Sequence, residues 1–325
     1  MDEIWALLDD RAGNTAQTLG VAEALGQPFV EKRIAYTALA GLPNLIRGKG
    51  LAGVAEREGL RAPWPRLVIA SGRRLAPVAR WIKAQSGAKG RACALCQIMD
   101  PGWPGRRGFD LIAVPTHDLH APAGGNILRI PGAPHRVTAA RLAAARAAWA
   151  QRIVPIPAPR IAVLVGGATK SLPFTAGRAA ALGRAVAVLA DEMGGRVMLT
   201  TSRRTGREAE DALIAELPQN AWTYRWGDSG ENPYFGLLAW ADAVVVTGDS
   251  MSMVSEACGT EVPVLIDAPE AETSAKHARL HADLIARGRA LPLAAAGPQA
   301  LARLSCRPLN AAVEVAAAIR AKNLI

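Results

Sequence analysis

The sequence contains few cysteines, few aromatic residues and no long apolar run. Its 325 residues include four cysteines, and Phe, Trp and Tyr together make up 5% of the chain. Four cysteines are too few for a disulfide framework in a chain of this length. No apolar stretch approaches the ~20 residues that a membrane-spanning helix needs. The first ten residues lack the basic region of a signal peptide. We therefore expect a cytoplasmic protein.

Two features that suggest a metal site are incomplete. Cys93 and Cys96 form a C-x-x-C pair, but they lie in an alternating segment typical of a buried strand, and no second pair accompanies them. His277 and His281 are four residues apart on a predicted helix, without a third ligand at metal spacing. We interpret the cysteines as core residues and the histidines as surface residues. The prediction is that the protein has no metal site and no cofactor.

The strand-to-helix turns lack the common nucleotide-binding fingerprints. The segment from Gly166 to Ser171 lacks the first glycine of a P-loop. The turns between predicted strands and helices carry no G-x-G-x-x-G. These absences disfavour P-loop ATP hydrolysis and nicotinamide binding.

Positive charge is concentrated in the first half of the chain. Residues 1–155 contain 21 Lys and Arg against 11 Asp and Glu, and the rest of the chain is balanced. A basic domain favours an anionic partner such as a membrane surface, an acidic glycolipid or nucleic acid. No nucleic-acid-binding motif is readable, so nucleic acid is not expected as a partner. The alternative is that the arginines reflect the base composition of the genome.

The chain repeats a pattern of apolar strand, polar loop and amphipathic helix. This pattern predicts an α/β protein with two Rossmann-like domains, each built on a parallel sheet, whose loops face a shared cleft. The proline-rich segment 153–159 separates the two halves. We predict an N-terminal domain over residues 1–152 and a C-terminal domain over residues 153–308. The helix in residues 309–325 is expected to pack back on the N-terminal domain.

The segment 243–266 is the most informative motif. It reads as a buried strand, a small polar turn, a short helix and the next parallel strand. Such a turn presents free backbone N–H groups to phosphate or sugar hydroxyls. The alternative is that its polar residues only cap the helix. The candidate ligand-binding residues in it are Asp249, Ser250, Ser252, Ser255 and Glu256.

Other strand ends supply further candidates. The segments Ser71–Arg74 and Thr201–Arg204 each end in an arginine pair, and paired guanidinium groups bind phosphate oxygens well. The alternative is a solvated surface. Candidates for the general base of a group transfer are Asp10, His117 and Asp118. These residues have equally plausible structural roles as a helix cap or a turn.

Together these segments resemble the "elongated mitochondria" fission-protein family. The resemblance covers nearly the whole chain and rests on the segments 8–17, 71–74, 115–118, 165–167, 200–205, 231–234 and 246–257. Plant members of that family are tied to mitochondrial division, and bacterial members are labelled as glycosyltransferases. The resemblance implies a GT-B arrangement that requires no metal. It places a nucleotide-sugar donor on the C-terminal domain and the acceptor on the N-terminal domain.

The residues and the resemblance lead to one functional prediction. We expect an inverting transfer of a sugar to an acidic, lipid-linked envelope glycan, by a cytoplasmic protein that is peripheral on the inner membrane through its basic half, for example through residues 47–66. The alternatives are a non-catalytic scaffold and a sugar-nucleotide epimerase. Besides the residues of segment 243–266, the donor residues are Gly166, Gly167, Lys170, Ser202, Arg203 and Arg204. The acceptor residues are Arg11, Gly13, Asn14, Arg73 and Arg74.

Overall fold

The computed structural model describes residues 3–90, 92–102, 105–118 and 124–325. The chain forms two compact units. Unit 1 comprises Met1–Arg136 together with Asn310–Ile325, and unit 2 comprises Val137–Leu309.

Unit 1 is a six-stranded parallel sheet covered by helices on both faces. Its strands lie in the order β2-β1-β3-β4-β5-β6. Its elements are β1 (Ile4–Leu8), α1 (Ala12–Ala24), β2 (Phe29–Arg33), a 3-10 turn (Ala38–Gly41), α2 (Asn44–Arg47), β3 (Leu67–Ser71), α3 (Ala76–Ala88), β4 (Ala94–Ile98), a second 3-10 turn (Gly105–Gly108), β5 (Leu111–Pro115), β6 (Ile127–Ile130) and the C-terminal helix (Ala311–Ala321).

The apolar strands of unit 1 supply a core on each face of the sheet. In β1, Ile4 and Leu8 enter one core and Trp5 and Leu7 enter the other, because successive side chains of a strand point to opposite faces. The C-terminal helix completes the first of these cores, where Ile319 is fully buried.

Unit 2 is a second six-stranded parallel sheet, with strand order β12-β11-β10-β7-β8-β9. Two parallel sheets in one chain confirm the predicted α/β fold class. Its elements are α4 (Ala139–Ile153), β7 (Arg160–Leu164), α5 (Ala176–Met193), β8 (Arg196–Thr200), α6 (Arg207–Ala215), β9 (Trp222–Tyr224), α7 (Tyr234–Trp240), β10 (Ala243–Thr247), α8 (Met251–Ala257), β11 (Val264–Asp267), a 3-10 turn (Glu270–Glu272), α9 (Ala275–Ala286), β12 (Leu291–Pro292), a 3-10 turn (Leu293–Ala295) and α10 (Pro298–Leu301).

The boundary between the units falls at residue 136, whereas the sequence suggested residue 152. Helix α4 therefore belongs to unit 2. Its Trp149 and Ile153 are buried in a core that also contains Leu237 and Val244. The Trp149 ring lies directly against Gly236 of α7. The proline-rich segment follows this helix and leads straight into β7.

The cysteines of the C-x-x-C pair are core residues, as predicted. Cys96 is buried in the core that contains Ile4, and Cys93 in the core that contains Trp5, so the two thiols belong to opposite faces of the sheet. No helix of the described residues is both long enough and apolar enough to span a bilayer.

The close packing of α4 on α7 makes a testable prediction. A Cβ added at Gly236 would lie 2.5 Å from Cγ of Trp149, so Gly236→Ala forces α7 away from α4. We expect a loss of about 1–3 kcal/mol in the free energy of unfolding, as for other overpacked cores. Gly177→Ala in α5 is the matched control, because a Cβ there meets nothing within 4 Å. Urea unfolding of both variants measures the difference. Equal stabilities would contradict the packing described.

Candidate functional site

Each sheet has one point at which the strand order changes direction. In unit 2 this point lies between β7 and β10, and in unit 1 between β1 and β3. Connections on the two sides of such a switch point leave in opposite directions, which opens a crevice at the carboxyl ends of the strands, where ligands of open α/β sheets bind. Most of the predicted site residues follow the strands that flank these two points.

Asp249 ties three loops together at the switch point of unit 2. Its Oδ2 accepts a hydrogen bond from the Gly167 amide at 3.0 Å and lies 2.7 Å from Nη1 of Arg204. The Gly166 amide donates to Oγ1 of Thr247 at 2.8 Å. The loops after β7, β8 and β10 are thus held by charge-assisted and neutral hydrogen bonds.

Both glycines of the β7 loop are required by this packing. A Cβ at Gly166 would overlap the Asp249 carboxylate, and one at Gly167 would overlap the backbone of Arg204. Gly167 also has φ of +132°, which side-chain-bearing residues rarely adopt. The space left by the absent side chains is filled by the protein's own groups. Gly166 and Gly167, which are predicted donor residues, thus pack against the protein itself.

Arg203 and Arg204, in the loop after β8, have different roles. Arg204 pairs with Asp249 and donates to the Ala168 carbonyl at 3.0 Å, so it builds the site. The Ser202 hydroxyl donates to the Gly166 carbonyl and has a structural role as well. Arg203 is exposed. Of the predicted arginine pair, Arg203 is therefore the residue that presents its guanidinium to solvent.

A cavity of about 220 Å³ opens beside Asp249. Lys170, exposed at the end of the β7 loop, contributes to its wall. Phe174, Arg178, Asp267 and His277 also line it.

Arg178 forms the charged wall of the cavity. Its guanidinium pairs with the Asp267 carboxylate and, at 2.8 Å, with that of Glu272. Burial raises the pKa of Asp267, and the Arg178 charge opposes this shift. Sequence reasoning missed both residues. Asp267 stands at the end of β11, a position that the same strand-end argument could have found. Arg178 lies in the first turn of α5, where no sequence signal marks it.

The prediction that both histidines of α9 lie on the surface is wrong for His281. Its ring is buried, and its Nε2–H donates to the Gly248 carbonyl at 3.1 Å, since a carbonyl can only accept. Burial lowers the pKa of His281 to about 4, so the ring is neutral at pH 7. His277 is half-buried, accepts or donates at Nδ1 to the Ser274 hydroxyl at 2.6 Å, and lines the cavity.

The serines of the opening motif are partly engaged within α8. Ser250 caps the helix by accepting from the Met253 amide at 3.4 Å. The buried Ser255 donates to the Met251 carbonyl at 2.8 Å. Ser252 is only half-buried. Ser250 thus caps the helix, which is the alternative to ligand binding given above for this segment.

Glu256 lies in a separate cluster from the cavity-lining residues. Its Oε2 accepts a hydrogen bond from the Tyr234 hydroxyl at 2.6 Å. Burial raises the pKa of Glu256 to about 7, while the Tyr234 hydrogen bond and the Arg141 charge lower it in part. Tyr234 comes from the Glu231–Tyr234 segment of the resemblance, so the fold brings two of the quoted motifs into contact.

Unit 1 has a similar arrangement at its own switch point. The side chain of Asp9 is fully buried and accepts from Nη2 of Arg74 at 3.2 Å, from Nδ2 of Asn14 at 3.1 Å and from the Arg11 amide at 3.1 Å. Asp10, 68% exposed, pairs with the same Arg74. Asp9 is a structural centre, and Asp10 is the carboxylate presented to solvent.

The acceptor residues predicted in the first half lie around this centre. Arg11 and Arg73 are exposed, and Gly13 is half-buried in the first turn of α1. Nη1 of Arg73 donates to the Leu42 carbonyl at 3.2 Å. In both arginine pairs, the first arginine is exposed and the second binds a carboxylate.

His117 and Asp118 lie away from this group. They follow β5, which is three strand intervals from β1 in the sheet, or roughly 14 Å at ~4.8 Å per interval. His117 is buried, and the Asp118 carbonyl accepts from Nη1 of Arg129 at 2.7 Å. The three predicted bases therefore do not form one cluster. Within the described residues, no group of three or more His, Cys, Asp or Glu has the arrangement of a metal site.

Solved structures with two such sheets include enzymes that act on sugars. UDP-GlcNAc 2-epimerase from Neisseria meningitidis, solved with UDP-GlcNAc, matches with a TM-score of 0.53 and 10% identity over 99% of each chain. The glycosyltransferase SnogD from Streptomyces nogalater matches with a TM-score of 0.56 and 15% identity, over 98% of this chain and 95% of that one. At these identities the likeness establishes the GT-B fold alone.

Sequence comparison establishes the family. The family model described as mitochondrial fission ELM1 matches residues 12–323. The mitochondrial fission protein ELM1 of Arabidopsis thaliana is 30% identical over 250 residues, which are 70% of this chain and 57% of that protein. An uncharacterized protein of Rickettsia prowazekii (strain Madrid E) is 26% identical, over 98% of this chain and 97% of its own length. The predicted resemblance is confirmed, and the chain belongs to the mitochondrial fission ELM1 family.

Proposed function

We propose that this protein is a glycosyltransferase whose unit 2 binds a nucleotide-sugar donor at the cavity beside Asp249. One observation carries the proposal. Oδ1 of Asp249 is buried and has no hydrogen-bond partner among the described residues, and Asp249 lines the cavity. A buried acceptor without a donor is costly, so a ligand N–H or O–H group is the natural partner.

The size and charge of the cavity suit one portion of such a donor. Its volume of about 220 Å³ is below the ~300–1,000 Å³ of whole drug-sized ligand sites. We assign it to the nucleoside, whose N–H and O–H groups match the carboxylates of Asp249 and Asp267. The exposed cations Lys170 and Arg203 are assigned to the diphosphate, and the hydroxyls of Ser250 and Ser252 to the sugar or ribose.

Unit 1 is assigned to an acidic, lipid-linked acceptor at a membrane face. Its exposed Arg11 and Arg73 stand beside the switch point, and the unit contains 20 Lys and Arg against 12 Asp and Glu.

In the reaction, an acceptor oxygen bonds to the anomeric carbon, the bond from that carbon to the diphosphate breaks, and a base takes the hydroxyl proton. Asp10 is the preferred base because its carboxylate is exposed. No resident cofactor, metal or nucleic acid enters this proposal.

A scaffold without catalysis is the second candidate. It is favoured by the family itself, since the curated Arabidopsis relative is named for mitochondrial fission. Incubation with radiolabelled UDP-GlcNAc and a membrane extract separates the candidates. Label in the lipid fraction with release of UDP supports transfer. Conversion to the C2 epimer alone indicates an epimerase, and no change of the donor indicates a scaffold.

Loss of either exposed cation is expected to weaken donor binding. Charge-assisted hydrogen bonds contribute ~1.5–3 kcal/mol each, so Lys170→Ala and Arg203→Ala are expected to raise the Kd for UDP-GlcNAc by about tenfold or more. Arg303→Ala is the control, because Arg303 is an exposed arginine of unit 2 outside the cavity lining. Calorimetric titration of a nucleotide-sugar panel measures the three constants. Unchanged affinity in both Lys170→Ala and Arg203→Ala would overturn the donor assignment.

If Glu256 binds donor hydroxyls, donor affinity depends on pH. With a pKa of about 7, Glu256 is mostly protonated near pH 6 and mostly ionised near pH 8, and the ionised form accepts hydrogen bonds at both oxygens whereas the protonated form carries a donor on one of them. The wild-type Kd is therefore expected to fall several-fold as pH rises from ~6 to ~8.

Glu256→Gln is expected to bind more weakly at pH 8 and to show a flat profile. Arg203→Ala should keep the wild-type slope. The diphosphate of a nucleotide sugar does not titrate in this range, so the slope reports on the protein. Equal slopes in wild type and Glu256→Gln would exclude this role for Glu256.

Removal of the proposed base is expected to affect the chemical step alone. Asp10→Asn should lower kcat by about 10²-fold or more while the Kd for the donor stays unchanged, since general bases contribute roughly 10²–10⁴-fold. Asp118→Asn, which alters the half-buried candidate, is the comparison. Initial rates of lipid labelling at saturating donor measure kcat. If only Asp118→Asn lost activity, the base would be Asp118.

A further inference from the structure

Unit 1 presents a cluster of apolar side chains to solvent. In the exposed segment, residues 38–47, Leu39 is 56% exposed, Leu42 37%, Leu45 64% and Ile46 69%. The other strongly exposed large apolar residues of the described chain are scattered singly, as at Val188 and Val313. Single exposed apolar residues are ordinary, but four within eight residues mark an interaction surface.

The fold holds this segment with its polar side chains inward. Asn44 and Arg47 are buried, 9% and 3% exposed. Nδ2 of Asn44 donates to the carbonyls of Arg73 at 3.0 Å and Pro101 at 3.2 Å. Arg47 donates from Nη1 to the Arg74 carbonyl at 3.1 Å. Turning α2 to bury Leu45 and Ile46 would break these bonds and leave buried groups unpaired, so the outward apolar face is a stable feature.

The surroundings of the segment are cationic. Lys49 is exposed two residues after it in the chain, and the exposed Arg73 donates a hydrogen bond to its Leu42 carbonyl. The segment contains no aromatic residue, although aromatic residues are enriched in the cores of protein–protein interfaces. Aliphatic tips flanked by lysine and arginine match the boundary between acyl chains and anionic headgroups.

We propose that the exposed segment inserts Leu39, Leu42, Leu45 and Ile46 into the interface of an anionic lipid bilayer. The cations beside it bind the headgroups. Because Asn44 and Arg47 are bonded to the loop that carries Arg73 and Arg74, docking brings that loop to the membrane surface. The proposal goes beyond donor binding, which depends on unit 2, and the two can fail separately.

Co-sedimentation with vesicles tests the insertion. Wild-type protein is expected to sediment with phosphatidylglycerol–phosphatidylcholine vesicles and only weakly with pure phosphatidylcholine. The double variant Leu45→Ser/Ile46→Ser is expected to lose about tenfold or more in vesicle affinity. Val313→Ser is the matched control, because Val313 is a 58% exposed apolar residue of the same unit. Unchanged thermal unfolding shows that the double variant is folded.

The charge contribution is tested separately. Lys49→Glu is expected to weaken binding to the anionic vesicles severalfold at ~0.1 M salt, and the difference from wild type is expected to shrink at ~0.5 M, where exposed charges are screened. Light scattering of the protein without vesicles tests whether the exposed segment binds a second copy of the chain instead of a membrane. Equal vesicle binding by wild type and the double variant, no binding by wild type, or a dimer that the double variant abolishes would each overturn the proposal.

Discussion

The carboxylate of Asp249 is the interaction on which the site in unit 2 depends. It holds the β7 loop through the Gly167 amide and the β8 loop through Arg204, while it belongs itself to the loop after β10. A carboxylate left without these partners would cost free energy in a mostly buried position. The cavity lies beside these bonded loops, and the remaining Asp249 oxygen has no hydrogen-bond partner among the described residues.

Unit 1 has the same kind of carboxylate–arginine pair at the ends of different strands. Asp9 follows β1 and Arg74 follows β3, the two strands that flank its switch point, and the pair is mostly buried. In each unit the second arginine of a recurring pair fixes the loop through a carboxylate, which leaves the first arginine exposed. Arg74 and Arg204 are thus held by carboxylates, while Arg73 and Arg203 remain accessible to solvent.

The loop of Arg73 and Arg74 has a second structural task. Its carbonyls accept hydrogen bonds from Asn44 and Arg47, which hold the apolar face of α2 outward. The proposed anion site and the proposed membrane surface of unit 1 therefore share one support. A family named for organelle division and a fold shared with sugar-active enzymes are compatible, since one fold can host many different functions.

The sequence alone determined the two parallel sheets, because uninterrupted apolar strands such as β1 and β10 must be covered on both faces. The motifs quoted from the sequence determined the family. It also located the strand-end loops, where most candidate residues stand. Local pattern does not mark edge strand β2, because Glu31, Lys32 and Arg33 interrupt its apolar character. Only the tertiary structure decided which polar residues are engaged. Whether Asp9 or Asp10 is buried, whether His281 is on the surface, and which of Arg203 and Arg204 is paired all depend on neighbours 33 to 65 residues away in the chain, which local pattern cannot specify.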